Sequence, residues 1–269
     1  PPNNCEHPPF VEPDDPPMRR CDDLDRVVPK QSNRPYDVAE VLHRVLDRGS
    51  FLEVHEGWAR NIRVGFARLG GHSVGVVANN PAVLAGVLDI DASRKAARFV
   101  RLCNAFGLPI VTFVDVPGFL PGREQEHAGI IAHGAKVAYA FCEATVPKLT
   151  VILRKAYGGA YIVMSSKHVG SDFNFAWPGA EIAVMGASGA VEILFSKDLK
   201  DQLDPKARQA ALADDYTKNL ATPKIAAQRG YLDAVIEPEE TRRILCRSLR
   251  AVIGKRQELP AKRNGNIPL

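Results

Sequence analysis

The sequence predicts an α/β fold, in which strands and helices alternate along the chain. A near-continuous apolar run at 110–114 is typical of a strand that is buried on both faces of a parallel sheet. Apolar runs also end in glycine-containing turns or loops in three segments, VDVPGF, RKAYGGA and AVMGASGA. No GxGxxG follows an early strand and no GxxxxGK[ST] occurs, so stacked strand-turn-helix units are favoured over a Rossmann or P-loop domain.

The first 35 residues differ from the rest in composition. They hold nine of the 20 prolines, and acidic residues fill the gaps between them. Each proline removes a backbone donor and restricts the residue before it, so this segment forms neither a helix nor a central strand. We predict a linker or surface arm at 1–35 and a main domain at 36–269, and we expect the chain to be the C-terminal part of a longer architecture.

The first elements of the main domain are a helix and a hairpin. Asp37 is positioned to cap a helix that ends before Gly49. Apolar and other residues alternate over 62–69, and Gly70-Gly71 then reverses the chain into a second strand at 73–78. Alternation on both sides of a Gly-Gly turn is typical of a β-hairpin.

The middle of the chain predicts two helices around a buried strand. Asp91 or Ser93 begins the first helix, whose apolar face consists of Ala96, Phe99, Val100, Cys103 and Phe106. The strand at 110–114 leads into a rigid loop at 115–122. The second helix is predicted at 129–143, and its inward face consists of Ile131, Gly134, Ala135 and Ala138.

The remaining predicted elements are mostly short. Strands are expected at 51–55, 150–153, 173–176, 182–184 and 234–236, and helices at 186–195, 198–220, 223–229 and 239–253. The segment 198–220 is charged and weakly amphipathic, which indicates an exposed helix, an insertion or an oligomer contact. The basic tail 255–269 is expected to lie on a surface.

Charge and cysteine content argue against several classes of protein. The 35 Lys and Arg residues outnumber the 31 Asp and Glu residues only slightly, and the excess positive charge is spread evenly along the chain. This charge pattern does not indicate nucleic-acid binding. No apolar run reaches the length of a membrane span, so no membrane partner is expected. Five cysteines without a CxxC pair favour a reducing cytoplasm. Cys103 and Cys142 have core-like neighbours, and Cys5, His7 and Cys21 lack a fourth ligand in register, so no metal site is predicted.

The most specific local feature is a glycine turn that follows an apolar run and two basic residues. Gly158-Gly159 is followed at once by Ala160-Tyr161-Ile162, which is suited to open a helix. Such a corner presents backbone N–H groups to an oxygen that carries negative charge, and a side chain there would block close approach. A second corner of this kind lies at Gly186-Ala187. A plain strand-to-helix corner is the alternative for an isolated Gly-Gly.

The sequence contains neither the zinc-binding motif HExxH nor the redox motif CxxC, so neither kind of catalytic site is indicated. Asp115, at a predicted strand end, is a candidate base, although an Asp before a Pro-Gly loop is also typical of an Asx turn. Two backbone corners without an evident nucleophile favour chemistry that stabilises an oxyanion.

Longer motifs resemble one family. They are VANNP (77–81), LDIDASRKAARF (88–99), VDVPGFLPG (114–122), AGIIAHGAK (128–136), EATVPKLTVILRKAYGGAYIVM (143–164), AWPGAEIAVMGASGA (176–190), QRGYLD (228–233) and GNIPL (265–269). On these motifs the chain, from about residue 34 to residue 269, is similar to the C-terminal domain of the carboxyltransferase β subunit of biotin-dependent acyl-CoA carboxylases, of the acetyl-/propionyl-CoA carboxylase type. The proline-rich leader resembles the linker between the two halves of that subunit.

The resemblance implies a crotonase-like fold, which is a spiral of ββα units. It also implies that the carboxyl group moves from carboxybiotin, carried on a separate carrier protein or domain, to the α carbon of acetyl-CoA or propionyl-CoA. The partners implied are an N-terminal carboxyltransferase domain, which completes the site, and a biotin carboxylase/biotin carrier subunit. The full enzyme is expected to be a homo-oligomer, from a dimer to a hexamer, without a metal in this domain.

The resemblance further assigns residues. The N–H groups of Gly159 and Ala160 are expected to hold the ureido oxygen of biotin, and a second oxyanion hole is expected in the N-terminal domain. Substrate contacts are implied for Gly158, Tyr161, Ile162, Pro117, Gly118, Phe119, Met185, Gly186 and Ala187. Ile162 resembles the residue of acetyl-accepting members, which favours acetyl-CoA, with propionyl-CoA as a further substrate.

Two other functions stay open at this point. One is a crotonase-fold hydratase, isomerase or hydrolase, which needs a carboxylate that faces the oxyanion pocket. The other is a non-catalytic module that docks the biotin carrier or assembles the complex.

Overall fold

One mixed sheet organises the computed structural model, which describes residues 1–200 and 204–260. Its strands are β1 (Leu52–Val54), β2 (Ile62–Leu69), β3 (His72–Asn79), β4 (Ile110–Val116), β5 (Lys148–Tyr157), β6 (Phe173–Ala176), β7 (Glu181–Ala183) and β8 (Ala234–Val235). The strand order is β1-β2-β3-β4-β5-β6-β8, and β7 pairs with the end of β5. The first three strands are antiparallel, and the later pairs are parallel.

Helices cover both faces of this sheet. They are α1 (Leu24–Val27), α2 (Ala39–Val45), α3 (Ile90–Ala105), α4 (Arg123–His127), α5 (Ile130–Glu143), α6 (Gly158–Val163), α7 (Ala187–Leu194), α8 (Ser196–Lys200), α9 (Pro205–Leu220), α10 (Pro223–Gln228) and α11 (Thr241–Val252). Short 3₁₀ turns lie at Leu84–Gly86, Lys167–Val169 and Pro238–Glu240. None of the described helices is long and apolar enough to cross a membrane.

The α/β prediction is confirmed, and the central strands show why it succeeded. Alternate residues of β4 enter two separate apolar clusters, with Ile110 and Val114 on the α3/α5 side and Val111 and Phe113 on the α2/α11 side. A strand packed by helices on both faces has no solvent side, so its sequence is a continuous apolar run. The predicted hairpin is also confirmed, because β2 and β3 pair up to Leu69 and His72.

Three local predictions are wrong, each for a physical reason. The cap of α3 is Asp89, whose carboxylate accepts the N–H of Ala92, because the helix begins before Asp91 and Ser93. The inward face of α5 follows the stripe Ile130, Gly134, Val137 and Phe141, so Ile131 is 85 % exposed. Cys142 is likewise exposed, because it lies off that stripe.

The proline-rich segment 1–35 lies against the α/β unit and contains α1, so the prediction that it forms no helix is wrong. The stretch 18–28 around α1 contains no proline, which leaves room for one helical turn. Cys21 and Leu24 are buried in the apolar cluster that contains Leu42 and Leu245, so Cys21 is a core residue rather than part of a loose leader. The domain boundary near residue 35 stays a prediction. Two further expectations fall outside the described residues: positions 201–203 of the helix predicted at 198–220, and the GNIPL motif at 265–269.

A buried arginine joins this leader to the rest of the fold. Arg242 is fully buried, and its guanidinium donates to Asp47 Oδ1 at 2.7 Å and to the carbonyls of Asp15, Pro16 and Val45 at 2.8–3.2 Å. The Asp47 carboxylate also accepts the N–H groups of the Gly70-Gly71 turn. One cation therefore connects α11, the leader, the end of α2 and the hairpin.

We expect Arg242→Ala to lower the free energy of unfolding by about 3–5 kcal/mol, because removing one member of a buried ion pair leaves the other charge unpaired. Denaturation in urea, followed by circular dichroism, measures this change. Arg101→Ala is the control, since Arg101 is exposed on α3 and such changes usually stay within about 0.5 kcal/mol. Equal stability of the two variants would contradict the assignment of Arg242 as the connecting residue.

Candidate active site

The glycine turn at the end of β5 has the predicted strand-to-helix geometry. β5 ends at Tyr157, and α6 begins directly at Gly158. Gly158 has φ +58°, and a Cβ atom at this position would lie 2.8 Å from the carbonyl oxygen of Val184. Both facts exclude a side chain, so residue 158 has to be glycine for the chain to turn so sharply.

The two N–H-bearing residues at this turn differ in exposure: Gly159 is exposed, whereas Ala160 is 1 % exposed. The first N–H groups of a helix have no intrahelical acceptor, and those of Gly159 and Ala160 donate to no acceptor within the described part of the chain. A Cβ atom at position 159 would have Phe119 as its nearest neighbour, 3.9 Å away. The approach to the N–H of Gly159 is therefore open.

An apolar cavity of about 360 Å³ borders the turn. It is lined by Phe119, Ile130, Ile131, Gly134, Ala135, Gly159, Ile162 and Val163. The structure thus brings together three predicted site residues from two separate motifs: Phe119, Gly159 and Ile162. The contributions from α5 were missed, because the sequence assigned Ile131, Gly134 and Ala135 to a helix face packed in the core.

Met185, Gly186 and Ala187 line a different cavity of about 560 Å³, which Tyr157 also lines. A Cβ atom at position 186 would lie 3.4 Å from the Tyr157 ring, so the two predicted corners flank this one side chain. The Tyr157 hydroxyl donates to Glu181, and burial together with that carboxylate raises the pKa of Tyr157. This second cavity has a mixed polar and apolar lining, whereas the first is lined by apolar residues.

The remaining predicted contacts do not line either cavity. Tyr161 is 5 % exposed, and burial raises its pKa to about 12; within the described residues its hydroxyl has no partner. Pro117 and Gly118 lie in the loop that carries Phe119. That loop is fixed by Leu88, whose N–H donates to the Gly118 carbonyl and whose carbonyl accepts the N–H of Leu120.

Asp115 is neither an exposed base nor an Asx-turn residue, because β4 continues through it to Val116 and its side chain is fully buried. Its carboxylate accepts from the Tyr36 hydroxyl at 2.9 Å, from Arg154 Nε at 3.0 Å and from the N–H of Lys155 at 3.2 Å. Burial raises the pKa of Asp115, and the two neighbouring cations oppose that shift. The role of Asp115 is to join the ends of β4 and β5.

Arg154 and Lys155 extend this cluster to the leader. They lie within β5, which is longer than the predicted 150–153, and both are buried. Arg154 Nη1 donates to three leader carbonyls, those of Pro29, Gln31 and Arg34, at 2.9–3.3 Å. Lys155 Nζ donates to the carbonyl of Ser32 at 3.1 Å. Carbonyl oxygens of the leader therefore hold β5, the strand that ends in the glycine turn.

One sequence motif could suggest a serine nucleophile, and the structure argues against that reading. The segment GHSVG at 71–75 has GxSxG spacing. A nucleophile elbow requires a turn from a strand into a helix. Ser73 instead lies in β3 of the hairpin, and its hydroxyl donates to the carbonyl of Pro9 at 2.6 Å.

The fold and the turn together define a class, and comparison with known proteins agrees. The mixed sheet of ββα units is the crotonase-like fold that the motifs implied. The sequence pattern described as the carboxyl transferase domain matches residues 1–267, and the chain belongs to this family.

Individual relatives agree with this assignment. The chain is 58 % identical over 269 residues to the carboxyltransferase subunit of propionyl-CoA carboxylase from Haloferax mediterranei, covering 100 % of this chain and 52 % of that protein. It is 52 % identical over 261 residues to the mitochondrial propionyl-CoA carboxylase beta chain of Mus musculus, covering 97 % of this chain and 47 % of that protein. The chain therefore spans about half the length of the curated relatives that it matches.

A solved structure shows the same backbone. The crystal structure of transcarboxylase 12S, described as a hexamer assembly with hydrolysed methylmalonyl-coenzyme A bound, superposes with a TM-score of 0.95 at 48 % identity. The match covers 100 % of this chain and 52 % of that one.

We expect Gly158→Ala to lower the free energy of unfolding by about 1–3 kcal/mol, because a side chain would be forced into left-handed backbone and against a carbonyl oxygen. Gly159→Ala is the matched control, because a Cβ atom at position 159 has room. Replacing glycine by alanine within a helix raises the free energy of unfolding by about 1 kcal/mol. Urea unfolding of both variants measures the difference. If Gly158→Ala is as stable as its neighbour variant, the turn is not constrained as described.

Proposed function

We propose that this chain is the biotin-side half of a carboxyltransferase, which moves a carboxyl group from carboxybiotin to the α carbon of a short acyl-CoA. The observation that carries the proposal is the pair of N–H groups at Gly159 and Ala160, which lack a protein acceptor among the described residues. Gly159 also lines an apolar cavity. Preorganised backbone donors stabilise an oxygen on which negative charge develops, and each is worth about 10²–10³ in rate.

The turn is compatible with biotin, which would arrive on a carrier. Biotin supplies the carboxyl group, and its ureido oxygen is more negative once that group has left. The ureido oxygen is a small acceptor, and the absence of a side chain at Gly159 leaves space for it. Two adjacent N–H groups at a helix start point towards such an acceptor and also offer the positive end of the local peptide dipoles.

The acceptor substrate is proposed from the cavity and from the relatives. The cavity is lined by apolar side chains and glycines, which suits a short acyl chain. Both relatives described above are named propionyl-CoA carboxylase subunits, which supports propionyl-CoA as the first choice. Ile162, which lines this cavity, supports acetyl-CoA as a second substrate.

The alternative of a hydratase or isomerase is less well supported. Such an enzyme needs a carboxylate that faces the oxyanion pocket, and no Asp, Glu or His lines the apolar cavity in the described part of the chain. Removal of the α proton is accordingly not assigned to a side chain of this chain. Turnover of an enoyl-CoA by the chain would reverse this preference.

We expect Gly159→Pro to lower carboxyl transfer by about 10²–10³, because it deletes one oxyanion donor. Proline is tolerated in the first turn of a helix, where the lost N–H has no intrahelical acceptor, so the fold should persist. Gly179→Ala is the control, because a Cβ atom there meets nothing within 4 Å, whereas any side chain at position 159 would itself crowd the ureido oxygen. Transfer is measured as labelled carboxyl-CoA product in the assembled enzyme with biotinylated carrier, and retention of activity in Gly159→Pro would refute the oxyanion role.

We also expect the chain of residues 1–269 by itself to carboxylate no acyl-CoA. The reason is that the second oxyanion hole is proposed to lie in the half of the relatives that this chain does not span. Adding that half, with biotinylated carrier and propionyl-CoA, should restore product formation. If the mixture binds carrier but forms no product, the chain is a docking module and the catalytic proposal fails.

A further inference from the structure

The aromatic ring of Phe119 is wedged between two helices beside the glycine turn. A Cβ atom at position 134, on α5, would lie 2.8 Å from Cε1 and 2.9 Å from Cζ of this ring. The opposite edge of the ring, at Cε2, lies 3.9 Å from the Cβ position of residue 159 on α6. Carbon atoms pack at about 3.5–4.0 Å, so the ring occupies space that exists only because residue 134 is glycine.

The backbone on either side of Phe119 is not free to move away. Leu88 is fully buried, and its N–H and carbonyl bond to Gly118 and Leu120 at 3.0 and 2.8 Å. These bonds hold the chain immediately before and after the ring, as in a strand pair. A side chain at position 134 would therefore displace the ring by side-chain rotation. The open side is the apolar cavity, which Phe119 and Gly134 both line.

We propose that Gly134 and Phe119 form one steric unit that sets the depth of the apolar cavity, and thereby the length of the acyl chain that the site accepts. The inference rests on the proposed carboxyltransferase function and adds a determinant of specificity to Ile162, which lies at the same cavity. Neither residue needs to touch the reacting oxygen for this effect. Gly134 acts through Phe119 and is a positioning residue.

The acyl chain is the part of the substrates that this cavity suits. Its lining side chains are Phe119, Ile130, Ile131, Ala135, Ile162 and Val163, and none of them offers a hydrogen bond. The ureido group of biotin carries N–H donors that would be left unpaired inside it, which is costly. An acyl chain needs only apolar contact.

The test compares acyl-CoA substrates of increasing length on one enzyme preparation. In the assembled carboxylase, Gly134→Ala should lower the propionyl-to-acetyl ratio of kcat/KM by about 10-fold or more, since one methylene in a snug pocket is worth about 10–200-fold. Phe119→Leu should instead raise the butyryl-to-propionyl ratio, because it shortens the wedge. The double variant Gly134→Ala/Phe119→Leu should return the propionyl-to-acetyl ratio towards that of the unmodified enzyme.

Ratios measured on one preparation do not depend on the fraction of enzyme that is folded. Gly179→Ala is the matched control, because a Cβ atom there meets nothing within 4 Å, and its ratios should equal those of the unmodified enzyme. An unchanged acyl ratio in Gly134→Ala, equal loss with both substrates, or a change confined to the KM for biotinylated carrier would overturn the inference. An unmodified assembly that carboxylates no acyl-CoA would overturn the proposed function, and this inference with it.

Discussion

The carboxylate of Asp115 is the constraint on which the candidate site depends. It is fully buried, and it joins the end of β4 to the end of β5 through Arg154 and the N–H of Lys155. A charge in such a place is tolerated because each oxygen has a donor. The loop that carries Phe119 follows the end of β4, and the glycine turn follows the end of β5. Both therefore start from a pair of strand ends that Asp115 fixes relative to each other.

The same cluster gives the proline-rich leader a structural role. Tyr36 donates to Asp115, and Arg154 and Lys155 donate to leader carbonyls between residues 29 and 34. Prolines leave these carbonyls without the regular backbone partners of a helix or sheet, which makes them available as acceptors. The leader thus satisfies two cations that would otherwise be buried without sufficient partners, and it is packed against the back of the strand that carries the turn.

Small residues decide the geometry around the turn and the apolar cavity. Gly158 permits the left-handed backbone, Gly159 leaves the N–H accessible, and Gly134 makes room for the Phe119 ring. The proposed oxyanion donors are backbone N–H groups, so they leave no characteristic side chain in the sequence. This explains why the sequence shows no motif of a catalytic nucleophile or metal ligand that the fold supports.

The sequence by itself determined the α/β class, the hairpin, the glycine turn and the family, because apolar periodicity, Gly-Gly turns and long ordered motifs are local properties of the chain. It did not determine that Asp115, Arg154 and Lys155 are buried together, or that Ile131 faces a cavity rather than the core. Those outcomes depend on which strand ends become neighbours and on where a helix begins to within one residue. Only the tertiary structure fixes these, because a shift of one residue in a helix turns a side chain by about 100°, and because a buried charge is stable only beside partners from distant parts of the chain.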